Sequence, residues 1–92
     1  MKMDFRELAQ GFSLLSSPTR LSILGLLATG PKNVSALCKG LKKRQPTVSH
    51  HLGILRMGRL VVSTRKGKSV EYTTDKASLG ALGAAIKQLT PR

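Results

Sequence analysis

The sequence predicts a mainly α-helical domain with one small β-hairpin, in the order α-α-α-α-β-β-α. Apolar residues recur with helical spacing in five stretches that short polar breaks separate. Two short β-rich stretches surround one glycine-containing loop. The chain has 92 residues, so we expect a single domain over 1–92. With one Tyr, two Phe and no Trp, its core must come from aliphatic side chains, which suits packed helices.

Capping residues and apolar spacing predict the first two helices. The first helix, over roughly 4–16, is marked by apolar residues at helical spacing: Phe5, Leu8, Phe12 and Leu15. Ser17 and Pro18 then give a start signal, because Ser caps helices and Pro fits the first helical turn. The second helix is apolar nearly all round, which predicts a central position. Gly30 and Pro31 end it.

The next two helices are predicted to form a helix-turn-helix over 33–57. Asn33 is expected to cap the third helix, and a basic turn at 42–44 leads to a fourth helix from about Gln45 to Met57. Gly58 is a plausible C-terminal stop for that helix. Its expected buried stripe is Val48, Leu52 and Leu55.

The β-rich stretches at 60–64 and 70–74 predict a two-stranded wing over 60–74, with a loop at 65–69. Lys76 to Leu89 returns to helical spacing and predicts a last helix, within a terminal segment 76–90. Short helices joined by a turn and followed by such a hairpin make a winged helix-turn-helix.

The charge distribution indicates a polyanionic partner. The net charge is +12, and no Asp or Glu lies between Leu8 and Val70, a span that holds eleven Lys and Arg. We therefore expect nucleic acid as the partner, with an anionic membrane or an acidic protein as alternatives. No apolar run is long enough for a membrane span, the N-terminal residues do not form a signal peptide, and the single Cys fits a reducing cytoplasm.

Three segments resemble the ArsR/SmtB family of bacterial and archaeal repressors. They are LSSPTRLSIL at 15–24, QPTVSHHLGILR at 45–56, and GRLV at 58–61 with KGKSVEY at 66–72. The resemblance implies a cytoplasmic repressor from a bacterium or archaeon. It also implies a homodimer whose first and last helices, within 1–16 and 76–90, form the interface.

The fourth helix is the expected DNA-reading element. If Val48 points to the core, the face turned away from it can enter the major groove. The candidate contact residues are Gln45, Pro46, Thr47, Ser49, His50 and Gly53. Gln can pair with adenine, Thr can touch a thymine methyl, and Gly53 lets the backbone approach the phosphates. An ordinary solvated helix face is the alternative.

Basic residues on either side of this helix are candidate phosphate contacts. The set before, within and after it is Lys42, Lys43, Arg44, Arg56, Arg65, Lys66 and Lys68. Arg44 stands where the family usually has a small polar cap, and an Arg side chain cannot accept hydrogen bonds from helix N–H groups. The alternatives are a turn at 42–44 that is only solubilising, and wing charges that only protect a strand edge. Weaker candidates are Arg20, Lys39 and Arg59.

No metal, cofactor or catalytic site is predicted. Neighbouring His50 and His51 point about 100° apart on a helix, so they do not converge on one ion. His51 is expected to pack or to bond to backbone, and Cys38 to act as a buried apolar side chain rather than as a sensor. Compared with the two metal sites known in the family, Cys38 is out of register and the last helix has no His. The acidic residues form no catalytic set, so an enzyme is not expected.

The terminal helices carry more apolar surface than they can hide within one chain. The candidate dimer residues are Phe5, Leu8, Phe12, Leu79, Leu82, Ile86 and Leu89. The leading hypothesis is a dimeric, sequence-specific repressor that binds a palindrome-like operator in double-stranded DNA, without cofactors. A nonspecific architectural binder and a winged-helix protein-interaction module remain alternatives.

Overall fold

The computed structural model describes residues 4–91 and confirms the predicted order of elements. Five helices and two strands follow one another as α1 (Phe5–Leu14), α2 (Pro18–Leu27), α3 (Val34–Leu41), α4 (Gln45–Met57), β1 (Val61–Lys66), β2 (Ser69–Thr74) and α5 (Lys76–Leu89). Helix α1 stops two residues before the predicted end at 16. The helix-turn-helix is α3 with α4, and β1 with β2 forms the wing.

Side-chain caps fix where four of the helices begin. Ser17 accepts from the backbone N–H of Arg20 at 3.2 Å, and Asn33 accepts from that of Ala36 at 2.8 Å. Both caps were predicted. Asp4 and Asp75 likewise accept hydrogen bonds from the first turns of α1 and α5, satisfying N–H groups that have no partner inside the helix.

The core lies where α2, α3 and α4 meet the base of the wing. Ile23, Leu37 and Val61 are fully or almost fully shielded from solvent, each from a different element. The predicted stripe of α4 is confirmed, because Val48, Leu52 and Leu55 are all buried. Burying this stripe turns the opposite face of α4 outward.

The two strands of the wing are each one residue longer than predicted, and the turn between them is tighter. The strands pair antiparallel from Val61 opposite Thr74 to Lys66 opposite Ser69, so the turn contains Gly67 and one other residue. The predicted five-residue loop at 65–69 is therefore wrong. Gly67 has φ +61°, which suits the first central position of a two-residue hairpin turn and which glycine adopts at low cost. Arg65 and Lys66, which were predicted in the loop, thus lie at the end of β1, whereas Lys68 stays in the turn.

A third extended segment, which the sequence did not predict, pairs with the wing. Lys32 donates to the Tyr72 carbonyl at 3.0 Å, and Tyr72 donates back to the Lys32 carbonyl at 2.8 Å. Both are backbone bonds, and they form an isolated antiparallel bridge. This bridge attaches the wing to the chain just before α3, so the wing and the helix-turn-helix are held together.

Helix α4 ends at Met57 with Gly58 as its C-cap, as predicted, and Gly58 also has a packing role that the sequence did not indicate. Gly58 has φ −79°, while the left-handed residue is Arg59 at φ 63°. A side chain at position 58 would overlap Leu14 of α1. The glycine therefore serves close packing between the end of α4 and α1 rather than a left-handed turn.

Candidate nucleic-acid interface

The outward face of α4 contains every predicted base-contacting residue. All of the following side chains or backbones are exposed: Gln45, Pro46, Thr47, Ser49, His50 and Gly53. Pro46, Ser49, His50 and Gly53 point away from the buried stripe, and Gln45 and Thr47 flank that face, because successive helical residues are about 100° apart. An exposed row of small polar groups at the N-terminal part of a helix has the shape and chemistry needed to meet base edges in a major groove.

Gly53 leaves the middle of that face open. A Cβ built at this position meets no atom of the protein within 4 Å. Packing therefore does not require a glycine at position 53, and glycine lowers the intrinsic stability of a helix interior. A close approach of another molecule to the α4 backbone would explain the residue.

The turn before α4 presents three exposed cations in succession: Lys42, Lys43 and Arg44. Arg44 occupies the N-cap position of α4 but makes no side-chain cap, as predicted. Lys42 has φ 55°, a left-handed conformation that is uncommon for residues with a side chain. The left-handed backbone of Lys42 and the missing cap at Arg44 both lower the stability of the fold. Both lie in the basic turn 42–44.

The wing also ends in exposed cations. Arg65 and Lys66 close β1, and Lys68 lies in the turn itself. Lys66 Nζ is 3.7 Å from Glu71 Oε1 across the hairpin. That exposed pair contributes little to stability, but it gives Lys66 an acidic neighbour.

Two further cations, Arg56 and Arg59, flank the far end of α4. Both are exposed and line a shallow groove with Val62 and Ser63 of β1. This groove joins the end of the recognition helix to the base of the wing. Positive charge therefore lies at both ends of the exposed polar face.

The two adjacent histidines of α4 have different surroundings. Their ring centroids are 5.4 Å apart and the rings are inclined by 67°. His50 is exposed, whereas His51 is half-buried and its Nδ1 lies 3.3 Å from Nη1 of Arg20. The expectation that His51 packs or bonds to backbone is met by its packing, since the ring is half-buried, but its polar partner is a side chain on α2 and not the backbone. Burial foremost, then the charges of Arg20, His50 and Lys43, lowers the pKa of His51.

The guanidinium of Arg20, which the sequence offered as a further candidate for phosphate contact, is bonded within the protein. Its Nε donates to the Leu14 carbonyl at 2.7 Å and its Nη2 to the Ser13 carbonyl at 3.3 Å. The third nitrogen faces His51. Nothing in the sequence spacing of Arg20 and His51 signals this contact, since they lie 31 residues apart.

The other candidate ligands do not assemble into a metal site in the described part of the chain. Among residues 4–91, no three His, Cys, Asp or Glu side chains come together as a potential metal site. Cys38 is half-buried and packs against the core beside Leu37, so it was predicted on the correct face but is not fully buried. No helix within 4–91 is long and apolar enough to cross a membrane.

The candidate dimer residues divide into two groups. Leu82 is buried within the chain, and three others pack partly against the core: Leu8, Phe12 and Leu79. The remaining three are exposed: Phe5 at 65%, Ile86 at 52% and Leu89 at 56%. These three side chains are apolar, lie on α1 and α5, and are more than half exposed among the described residues 4–91.

Comparison with known proteins gives the family. Residues 17–63 match the family described as bacterial regulatory protein, arsR family. The chain belongs to that family. The match covers α2, the helix-turn-helix and the start of the wing, which are the elements that carry the exposed polar face and the basic turn.

Three relatives illustrate the range of similarity of this arsR-family chain. An uncharacterised HTH-type transcriptional regulator of Methanocaldococcus jannaschii is 42% identical over 64 residues, which is 68% of this chain and 72% of that protein. The transcriptional repressor SdpR of Bacillus subtilis is 32% identical over 68 residues, covering 74% of this chain and 76% of SdpR.

The third relative is a solved structure. The homodimeric winged helix-turn-helix DNA-binding domain of a possible ArsR-family regulator from Mycobacterium bovis superposes with a TM-score of 0.77. It is 28% identical, and the superposition covers 92% of this chain and 80% of that one. The winged helix-turn-helix fold predicted from the sequence is thereby confirmed.

Proposed function

We propose that this arsR-family chain is a sequence-specific, double-stranded DNA-binding repressor of transcription that acts as a homodimer. One observation carries the proposal. The exposed face of α4 holds small polar residues, and cations lie at both of its ends. Small polar groups can distinguish base edges, while cations hold the phosphates on either side.

The recognition helix supplies the sequence readout. Gln45, Thr47 and Ser49 occupy the exposed N-terminal turns of α4, the part of such a helix that meets bases. His50 and Pro46 complete the contact surface, and Gly53 lets the helix lie close to the DNA. Replacing one base-contacting side chain should cost about 1–3 kcal/mol of binding and relax specificity at one operator position.

The flanking cations supply affinity and set the register of the protein on DNA. Lys42, Lys43 and Arg44 would bind the backbone before α4, and Arg56 would bind it after the helix. Arg65 and Lys68 place charge on the wing, which would reach the adjacent minor groove or its phosphates. Lys66 would exchange Glu71 for a phosphate. Arg20 is not assigned to DNA, because its guanidinium is already bonded.

A twofold dimer would place two recognition helices on one face. Phe5, Ile86 and Leu89 are the apolar residues that such a contact would cover. The related Mycobacterium bovis domain is homodimeric, which supports the same assembly here. The two half-sites would be about 34–36 Å apart, or a multiple of that distance.

No catalytic step is needed for this function, and the family and the relatives are regulators. We place the protein in the cytoplasm, where its DNA is. The term repressor rests on the Bacillus subtilis relative, which bears that description.

Electrophoretic mobility shift with DNA from upstream of its own gene, against a scrambled competitor of equal length, tests the function. We expect retention of the upstream DNA at competitor concentrations that remove nonspecific binding. We also expect the logarithm of affinity to fall linearly and steeply with that of salt concentration, since bound cations release counterions from DNA. Equal binding of both DNAs would favour an architectural binder, and no binding would favour a protein-interaction module.

A further inference from the structure

Arg20 joins the end of α1 to the recognition helix. Its Nε and Nη2 donate to the carbonyls of Leu14 and Ser13, in the last turn of α1. That turn contains no basic residue of its own, and a cation near helix-terminal carbonyls is favourable. Nη1 lies 3.3 Å from Nδ1 of His51 on α4. A single side chain of α2 therefore contacts two other helices.

The chemistry of this contact requires a neutral histidine. A guanidinium only donates hydrogen bonds and stays charged at any ordinary pH. Nδ1 of His51 must therefore accept, which leaves the ring proton on Nε2. A protonated imidazole has no lone pair. Protonated His51 would place its Nδ1–H donor and its positive charge 3.3 Å from the N–H donors and the charge of Arg20.

We propose that Arg20 is a positioning residue for the recognition helix, which it holds through neutral His51, and that protonation of His51 releases this hold. The proposal rests on the DNA-binding function proposed above. Helix α1 also carries Phe5 of the candidate dimer surface. The Arg20 contact would therefore fix each recognition helix relative to its dimer partner and so determine how strictly half-site spacing is read.

The charges around His51 all oppose its protonation. Arg20 faces it from α2, Lys43 from the turn before α4, and His50 from the same helix. Burial is the largest cause, and all four effects lower the pKa of His51 below the ordinary value of 6.5. The contact should therefore persist at neutral pH and be lost only in acid.

The ring nitrogens of His51 can be observed directly in the full chain without DNA. In ¹⁵N-labelled protein at about pH 7.5, we expect Nδ1 unprotonated and Nε2 protonated, with a titration midpoint below about 6.5. Arg20→Gln removes one of the causes and should raise that midpoint. A proton on Nδ1 of His51 at neutral pH, or the same His51 midpoint in both proteins, would overturn the proposal.

DNA binding provides the second readout, through His51→Gln. The Gln side chain can accept from Arg20 but does not titrate, so the variant should keep the contact in acid. We expect the affinity of the natural protein relative to this variant to fall by about tenfold as the pH is lowered through the His51 midpoint measured in the titration, the size of one charge-assisted hydrogen bond. An unchanged ratio would contradict the proposal.

Half-site spacing separates positioning from simple destabilisation. Arg20→Gln should bind operators whose half-sites are moved by one base pair nearly as well as the original operator, whereas the natural protein should discriminate between them. Arg20→Lys retains the charge, but its donors all lie on one nitrogen and cannot reach the three separate acceptors of Arg20, so it should resemble Arg20→Gln. A uniform loss of affinity for every spacing would show that Arg20 is only structural. If no DNA is bound at all, the proposed function is wrong, and the ring titration still decides the Arg20–His51 contact.

Discussion

Arg44 shows how a single residue can place stability and binding in opposition. It stands at the N-cap of the recognition helix and leaves the first N–H groups of α4 without a side-chain acceptor. Its charge also lies at the positive end of the helix dipole, where a cation is unfavourable. Neither effect helps folding, so a contact outside the chain is the physical reason to have an Arg here.

Arg44→Ser should therefore make the protein more stable and a weaker DNA binder. A Ser at the N-cap should raise the free energy of unfolding by about 1 kcal/mol. Losing a phosphate contact should lower the affinity for all DNA sequences alike. The slope of the logarithm of affinity against the logarithm of salt concentration should become shallower by about 1. Urea unfolding and salt-dependent binding measure the two effects.

Lys43→Ser is the matched control for that substitution. It removes one exposed cation from the same turn but creates no cap, because position 43 precedes the N-cap. It should weaken binding without raising stability. Equal stability of Arg44→Ser and Lys43→Ser would show that the introduced serine does not cap α4. Normal DNA binding by Arg44→Ser would show that Arg44 does not contact a phosphate.

His51 gives the protein a predictable response to acid. Because its pKa is lowered on folding, the unfolded chain takes up a proton first as pH falls below about 6.5. The free energy of unfolding should be unaffected by this residue above that pH and should decline below it. Urea unfolding at a series of pH values should show a smaller decline for His51→Gln. Equal declines in the two proteins would rule out His51 as the cause.

Among the elements, helix α4 would be more stable with another residue in place of Gly53, but we expect that residue to weaken DNA binding. Gly53→Ala adds a methyl group to open space and should stabilise the helix by about 0.5–1 kcal/mol. The same methyl group would hold α4 away from DNA, so affinity should fall. Gly25→Ala in α2 is the control, since Gly25 is also exposed and a Cβ built there has no atom within 4 Å. A Gly53→Ala protein with unchanged affinity would remove Gly53 from the interface.

The sequence was sufficient to predict elements whose signals are local. Ser17 and Asn33 cap the helices they were expected to cap, and the stripe of α4 is buried, because capping and periodicity act within a few residues. Once the buried stripe of α4 is predicted, the residues on its exposed side are predicted as well. For the same reason, every proposed base-contacting residue could be named from the sequence.

Features that depend on distant residues could not be predicted. The Lys32–Tyr72 bridge joins segments far apart in the chain, and no pattern near either residue signals it. The Arg20–His51 contact is of the same kind. The wing turn was misjudged for another reason: Arg65, Lys66 and Ser69 have loop-like polarity, but a two-residue turn at Gly67 extends the strands to include them.

At the scale of the whole molecule, the unpartnered apolar side chains of α1 and α5 predict self-association. Ile86→Gln should raise the dimer dissociation constant by about tenfold or more, since it removes buried apolar surface worth roughly 1.5–3 kcal/mol. Leu21→Gln is the control, because Leu21 is 50% exposed and Ile86 52%, but Leu21 lies on α2. Sedimentation equilibrium should show weakened dimers only for Ile86→Gln. Equal effects, or a monomeric natural protein, would exclude this interface.

Selection of bound sequences from a random pool of double-stranded DNA tests the central claim most directly. Sequence-specific reading by a twofold dimer predicts enrichment of two inverted half-sites, with centres about 34–36 Å apart or a multiple of that distance. The same measurement reports specificity, symmetry and spacing together. A bound pool with no enriched sequence, or with a single half-site and no inverted partner, would contradict the account.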